Sequence, residues 1–280
     1  MRIGVTGYTS RIGKSLIQRG CIPLDLDITK YNIIDMVLAK KQPDIIVNLA
    51  ARSDVDWCEV NFEEALSVNV RGFYNLCTSA ETRNIPVVAL STDHIWNGKT
   101  GWDANVRAFT RAGPYKESYP RFAPVNQYGL TKVGMETLAS AFDNVKIVRT
   151  SYCFDYERLH LEIKMLKENI PVKYPDFVFR SFMHIEHFTD AFMVYLNKFY
   201  EMPTVLHISG NKVVSWYGFM SSLADVYGLN ASLVSPKHKD DKGLTPRPHK
   251  AGLEVSLSKK LSIPQFNYLH GLIIMKESGQ

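Results

Sequence analysis

Cysteine is scarce in this chain: four residues in 280, Cys21, Cys58, Cys77 and Cys153, with no CxxC pair among them. Thiols so scattered suit neither a disulfide framework nor a cysteine-built metal site, and they fit a reducing compartment. Long apolar runs are also missing. None approaches the ~20 residues that cross a bilayer, so no membrane span is expected. Met1-Arg-Ile-Gly-Val5 passes straight into a strand pattern, so no signal peptide is expected and the anticipated location is cytoplasmic. Internal repeats and low-complexity tracts are absent. Excess charge is small: a formal +5, too weak and dispersed for nucleic acid but compatible with an anionic small molecule. The densest basic stretch, Lys237 to Lys250, alternates with acids and prolines. It reads as a solvated loop or as a clamp on a substrate phosphate.

What is present is ordinary for a soluble globular chain, with 45% hydrophobic and 22% charged residues. The length suits one large domain, or a core with a smaller lobe. Apolar runs of four to six residues without polar alternation mark strands covered on both faces. They fall at Arg2–Thr6, Pro23–Leu26 (a poor one), Asp44–Leu49, Val87–Leu90 and Val145–Val148. Helical patterns separate them, at Ile12–Arg19, Ile33–Lys40, Glu63–Thr82 and Thr131–Phe142. This alternation implies an α/β fold, a Rossmann-type doubly wound parallel sheet between helices. Further on, helices are expected at Leu159–Glu168, His187–Phe199 and Trp216–Tyr227, a strand at Thr204–Ser209, and a loop at Ser235–Pro248. The expected division is a core of residues 1–155, joined by segments near 182–209, and a lobe of residues 156–181 and 210–280.

Three motifs carry chemistry. Val5-Thr-Gly-Tyr-Thr-Ser-Arg-Ile-Gly13 lies between the first strand and the first helix. N–H groups at such a helix start can hold a pyrophosphate, with Gly7 for the tight turn and Gly13 for close packing. The middle glycine of the pattern is replaced by Ser10, which can still offer its N–H and a hydroxyl. Gly13-Lys14-Ser15 resembles the end of a nucleoside-triphosphate P-loop, but that motif needs one residue fewer after its first glycine. Leu90-Ser-Thr-Asp-His-Ile-Trp96 ends a strand, where parallel sheets bind ligands, although Ser-Thr-Asp clusters also serve as plain caps. Finally, Tyr128 alone of the 14 tyrosines is followed by lysine four residues on. Residues i and i+4 share a helix face. A nearby ammonium would lower the phenol's pKa from ~10 toward neutrality, unless the two are a surface tyrosine and a solvated lysine.

Gly7/Gly13, Thr92, Tyr128 and Lys132 occur in the order and spacing of an extended short-chain dehydrogenase/reductase. Further matches are Leu26-Asp-Ile-Thr29, Pro43-Asp-Ile-Ile-Val-Asn48, Ala50-Ala51, Val55-Asp56 with Glu59, and Val68-Asn-Val70. Ser91-Thr-Asp93, Gly134 and Glu136, Arg149-Thr-Ser151 and Arg247-Pro248 complete the set. The chain thus resembles the dTDP-4-dehydrorhamnose reductase branch, densely over residues 1–151 and thinly afterwards. The resemblance implies NADPH or NADH as cofactor and a nucleotide-diphospho-sugar as substrate, whose C4 ketone is reduced. Tyr128 would protonate the developing alkoxide, Lys132 would hold the ribose and tune the phenol, and Thr92 would bind the carbonyl oxygen. Gly7, Thr9, Ser10, Arg11, Ile12, Gly13, Asp25, Asp27, Ala50, Ala51 and Asn69, with Tyr128 and Lys132, are the implied cofactor contacts. Asp93, His94, Tyr152 and Arg247 are the implied substrate contacts. No metal is implied, and a homodimer is a candidate assembly.

Asp25 could accept ribose hydroxyls and favour NADH, whereas Arg11 could pair with a 2′-phosphate and favour NADPH; the balance leans to NADPH. The segment Gly20–Leu26, where the discriminating residue normally falls, is shorter than in the relatives. Other departures are His94 and Trp96 in place of an aromatic pair, Tyr152 in place of tryptophan, and a longer stretch from Gly101 to Pro124. They leave open a pocket rebuilt for another ligand. An epimerase, and a non-catalytic NAD(P)-binding regulatory subunit, are the alternative readings. A dehydratase would need Asp-Glu after the threonine, where this chain has Asp93-His94.

Overall fold

Four runs with nearly continuous burial, Ile3–Thr6, Ile45–Asn48, Val87–Thr92 and Val145–Thr150, form the heart of a sheet covered on both faces. The computed structural model describes residues 1–104, 108–238 and 245–278. In chain order the elements begin with β1 (Ile3–Thr6), α1 (Arg11–Gln18), β2 (Ile22–Pro23), α2 (Tyr31–Lys41) and β3 (Ile45–Asn48). Next come α3 (Val55–Val60), α4 (Phe62–Leu66), a π-helical turn at Ser67–Gly72, α5 (Phe73–Glu81) and β4 (Val87–Thr92). The hairpin β5 (Gly101–Asp103) and β6 (Ala108–Thr110) precedes α6 (Gln127–Ala139), β7 (Val145–Thr150) and β8 (Tyr152–Phe154). Then follow α7 (Tyr156–Lys167), β9 (Val172–Pro175), β10 (Phe179–His184), α8 (Ile185–Asn197) and β11 (Val205–His207). β12 (Val213–Ser215), α9 (Trp216–Tyr227), β13 (Val234–Lys237), α10 (Ser256–Lys260) and α11 (Tyr268–Glu277) complete the chain. Among the described residues no helix is long and apolar enough to cross a membrane.

The six-stranded sheet has the order β11–β7–β4–β3–β1–β2. The pairs β1–β2, β1–β3 and β3–β4 are parallel, with Ile3 opposite Ile45 and Thr6 opposite Asn48. From β1 the chain winds first to β2 on one side and then to β3 on the other. At such a reversal, ligands bind outside the carboxyl ends of the strands. The fold is the Rossmann-type α/β sheet expected from the alternating pattern.

Two compact units divide the chain. The first, Met1–Ile95 with Pro124–Arg149 and Tyr195–Leu206, packs Leu24, Ile34, Ile46, Phe73, Leu76, Val87 and Ile147 into one core. The second, Trp96–Ala123 with Thr150–Val194 and His207–Gln280, holds a β12–β10–β8 sheet and a parallel β9–β13 pair. Its core centres on Phe182, stacked on Phe219 at 4.0 Å, with Phe154, Leu223 and Leu272. Residues 96–123, 150–155, 182–194 and 207–209 therefore group with the second unit, where the sequence boundaries had put them with the first. The cause is long-range pairing. Phe182 lies opposite Tyr152 in β8, and Gly113 and Tyr115 donate to the carbonyls of Lys250 and Gly252.

Several elements differ from expectation. The second strand shrinks to Ile22–Pro23. The long helix Glu63–Thr82 is broken by the π-helical turn, in which Gly72 lies so close to Ile28 that a Cβ would stand 2.7 Å from its Cγ1. α6 starts at Gln127, four residues early, because Asn126 caps it: Oδ1 accepts from the Gly129 N–H at 2.8 Å. The expected loop Ser235–Pro248 overlaps β13, while residues 239–244 lie outside the described residues.

One ion pair locks α6 to β7. Arg149 donates to both Glu136 carboxylate oxygens, Nε–H to Oε1 at 2.9 Å and Nη2 to Oε2 at 2.7 Å, and each side chain is only 4% exposed. Glu136→Gln would leave the guanidinium buried without its counter-charge, and stability should fall by about 3–5 kcal/mol. Urea unfolding checks this. The double variant Glu136→Leu/Arg149→Met should recover most of the loss.

Candidate active site

The carboxyl ends of β1 and β3 are joined by a short polar bridge. The Thr6 hydroxyl donates to Asn48 Oδ1 at 2.6 Å and accepts from the Ala50 N–H at 3.3 Å. Gly7 follows at φ +60°, and a Cβ there would sit 2.7 Å from the Ala50 nitrogen, so only glycine fits. At Gly13 a Cβ would stand 2.6 Å from the Tyr8 carbonyl oxygen. Thr9 and Ser10 are exposed, and Arg11 and Ile12 half-buried. The hydroxyl of Ser10 is committed differently from expectation: as N-cap of α1 it accepts from the Gly13 N–H at 3.1 Å. No acid stands in the first turn of α1, so its N-terminus keeps its affinity for anions.

Beyond these strand ends, a cleft of about 440 Å³ is lined by residues that include Asp27, Thr29, Ala50, Ala51, Arg52 and Ser67. The Asp27 carboxylate accepts from the Thr29 N–H at 2.9 Å and its hydroxyl at 2.8 Å, which pulls its pKa below the usual range. Asp25 is exposed and is not among the described residues that line the cleft. The tight glycine turn, the acid-free helix start and this cleft fit a dinucleotide. The turn suits its pyrophosphate, and the cleft suits its adenosine end.

Thr92, Tyr128 and Lys132 meet at the end of β4. Thr92 ends that strand, and its hydroxyl accepts from the His94 N–H at 3.2 Å and lies 3.3 Å from Asp93 Oδ1. The same hydroxyl lies near enough to the Tyr128 phenol to favour its ionised form. Tyr128 occupies the first turn of α6, and Lys132, one turn on, donates its ammonium to the Leu90 carbonyl at 2.9 Å. The expected lowering of the phenol's pKa by Lys132 is not what the structure contains. Burial raises the phenol well above its ordinary value; the nearby Thr92 hydroxyl opposes this, and the charge of Asp93 adds to it. Lys132 is itself pushed down to about 8 by burial, against the attraction of Glu136. Desolvation outweighs the spacing-based argument because Lys132 is buried and Tyr128 half-buried.

The surrounding residues explain other matched positions. The buried amide of Asn69 is committed within the protein: Oδ1 accepts from the Arg52 N–H, and Nδ2 donates to the Arg52 carbonyl and to Thr131 Oγ1, all within 2.8–2.9 Å. It clips the end of β3 to α6. Glu59 Oε2 accepts from the Gln127 N–H at 2.9 Å and steadies the start of α6. A Cβ on Gly129 would lie 2.3 Å from the His94 carbonyl oxygen, which is why glycine follows Tyr128. His94 sits edge-on to Tyr128, ring centres 5.6 Å apart, with Asn126 Nδ2 at 3.2 Å from its Nδ1. Asp93 is buried. Sequence reasoning missed Asn126 and Arg52; the Asn-x-x-Gly spacing of a capped helix start would have revealed the first.

Tyr152, Arg247 and Trp96 belong to the second unit. The Tyr152 hydroxyl accepts from Arg158 Nε–H at 2.7 Å while its ring packs on Trp216. Arg247 donates to the Thr245 carbonyl at 2.8 Å. Trp96 is fully buried and stacked on Tyr115 at 4.4 Å, so it serves the core and is not an open pocket wall.

A Rossmann-type sheet with a glycine turn and a Thr–Tyr–Lys set at the end of β4 defines an extended short-chain dehydrogenase/reductase. The chain belongs to the family described as the RmlD substrate binding domain, whose model matches residues 1–273. It is 26% identical over 257 residues to the spore coat polysaccharide biosynthesis protein SpsK of Bacillus subtilis, covering 88% of this chain and 87% of that one. To a dTDP-4-dehydrorhamnose reductase of Aggregatibacter actinomycetemcomitans it is 30% identical over 164 residues, 55% of this chain and 52% of the relative. A crystal structure of dTDP-4-dehydrorhamnose reductase from Bacillus anthracis in complex with NADP superposes with a TM-score of 0.84 at 22% identity, covering 99% of each chain.

The depressed pKa of Lys132 has a stability consequence. Between pH 8 and about 10.5 the unfolded chain holds this proton and the folded chain does not, so stability rises with pH through that window. Urea unfolding should show wild type gaining more stability from pH 7 to pH 10 than Lys132→Met, by roughly 2–3 kcal/mol. Equal gains in the two proteins would refute the burial of the charge.

Proposed function

We propose that this protein is an NAD(P)H-dependent reductase of the C4 ketone of a nucleotide-diphospho-4-keto-6-deoxy sugar, with NADPH the preferred cofactor. The observation that carries the reading is the meeting, at the end of β4, of Thr92 with Tyr128 and, one helical turn on, the buried Lys132, whose ammonium reaches the Leu90 carbonyl. The family match and the names of the relatives support the substrate class. The hydride would come from NAD(P)H held at this site.

The side chains supply the proton and the electrostatics. A phenol with a raised pKa is fully protonated at neutral pH, which suits a group that must donate to a developing alkoxide. Thr92, beside the phenol, can donate to the same oxygen. Lys132 is mostly cationic at pH 7, and its charge in a desolvated site favours the alkoxide before protonation. Gly7, Gly13 and the start of α1 take the pyrophosphate, and Asp27, Ala50 and Ala51 take the adenosine end. Asp93 and His94 are the candidate substrate contacts beside the Thr–Tyr–Lys set; for Tyr152 and Arg247, which belong to the second unit, the resemblance alone supports that role. A cytoplasmic enzyme without nucleic-acid partners belongs to the same reading, with a homodimer as its candidate assembly.

The test is oxidation of NADPH and NADH with dTDP-, UDP- and GDP-linked 4-keto-6-deoxy sugars. Turnover is expected with at least one of them; cofactor binding without oxidation of any would sink the reductase reading. Tyr128→Phe should lose about 100-fold or more in kcat, and Thr92→Val about 100-fold. Because the ammonium of Lys132 is needed, kcat/KM should fall as pH rises through about 8. That limb should be absent from the residual activity of Lys132→Met.

A further inference from the structure

We propose that Arg52 is the residue by which this chain selects a dinucleotide bearing a 2′-phosphate. The inference rests on the reading that the cleft beyond β2 and β3 holds the adenosine end. Among the described residues lining that cleft, Asp27 and Glu64 are acids and Arg52 is the one base. Asp27 is held charged by Thr29 and lies within the field of Arg52. A 2′-phosphate entering beside two carboxylates is repelled unless a cation meets it. A ribose diol carries no such requirement and can use the carboxylates as acceptors.

Arg52 is built for that exchange. Asn69 grips its backbone at both N–H and carbonyl, so the side chain starts from a fixed point. Its guanidinium lies 5.1 Å over the Trp57 ring and 2.7 Å from Glu64, in a pair whose side chains are about half exposed, at 51% and 53%. Exposed pairs of this kind are weak. A phosphate offers the planar fork two strong bonds in place of one. Glu64 therefore parks the guanidinium at the cleft and yields it to the phosphate. The two discriminators suggested by sequence, Arg11 and Asp25, are not among the described lining residues.

Cofactor binding followed by nicotinamide fluorescence tests this without any sugar substrate. Arg52→Ala should weaken NADPH about tenfold or more and change NADH by less than about threefold. Glu64→Gln should tighten NADPH. In wild type, added salt should weaken NADPH more steeply than NADH, and Arg52→Ala should remove that excess. Equal weakening of both cofactors by Arg52→Ala, no change in either, or loss of the preference in Arg11→Ala alone would overturn the proposal. Ala51→Trp and Ser67→Trp, with folding checked by circular dichroism, should block both cofactors. Unimpaired binding in the folded blocked variants would bring down the cleft reading itself. Blocked binding with an unselective Arg52→Ala brings down only the role of Arg52.

Discussion

The buried pair of Arg149 and Glu136 is the constraint on which the site depends. It is bidentate and nearly inaccessible, and it joins the strand β7 to the inner face of α6. Such a pair adds little net stability over apolar residues of the same size, but breaking it is costly. α6 therefore cannot slide or turn on the sheet without leaving a bare charge. Tyr128, Lys132 and Glu136 are spaced four residues apart on that helix, so the pair that anchors one of them fixes the height and azimuth of all three.

Polar clips complete what the ion pair begins. Asn126 and Glu59 hold the start of α6, and Asn69 ties it through Thr131 to the end of β3. Asn69 can do so because it stands in a π-helical turn, a feature common at functional sites. Thr6 binds β1 to β3 at the point where the sheet reverses its winding. The chemistry thus sits on backbone positions tied by hydrogen bonds rather than on loops. Burial has its own effect there: the phenol stays protonated and the ammonium is weakened, which suits donation of a proton more than its abstraction.

Much of this was legible in the residues. Runs such as Ile45–Asn48 and the alternation of strand and helix gave the sheet, and the Gly7–Gly13 turn, Thr92, Tyr128 and Lys132 were readable from spacing. Matched positions that carried no explanation in one dimension acquire one in three. Glu136 and Arg149 are two halves of an ion pair, Glu59 is a helix cap, and Gly129 is a close approach to the His94 carbonyl. Trp96 read as a pocket aromatic because it stands, with His94, where the relatives carry an aromatic pair. Its burial against Tyr115 depends on a loop that folds back through hydrogen bonds to residues 249–254. The π-helical turn was illegible because an extra residue in a helical turn leaves the apolar pattern almost unchanged.

The sequence by itself determined the class of fold, the place of the glycine turn and the identity of the Thr–Tyr–Lys set. Those follow from local periodicity and from backbone positions that only glycine can occupy. The tertiary structure decided the protonation of that set, the boundaries of the two units and the residues that line the cleft beyond β2 and β3. Each of these depends on burial or on contacts between residues far apart in the chain. Spacing along a helix brings a phenol and an ammonium to one face; only the packing around them settles how readily each gives up its proton.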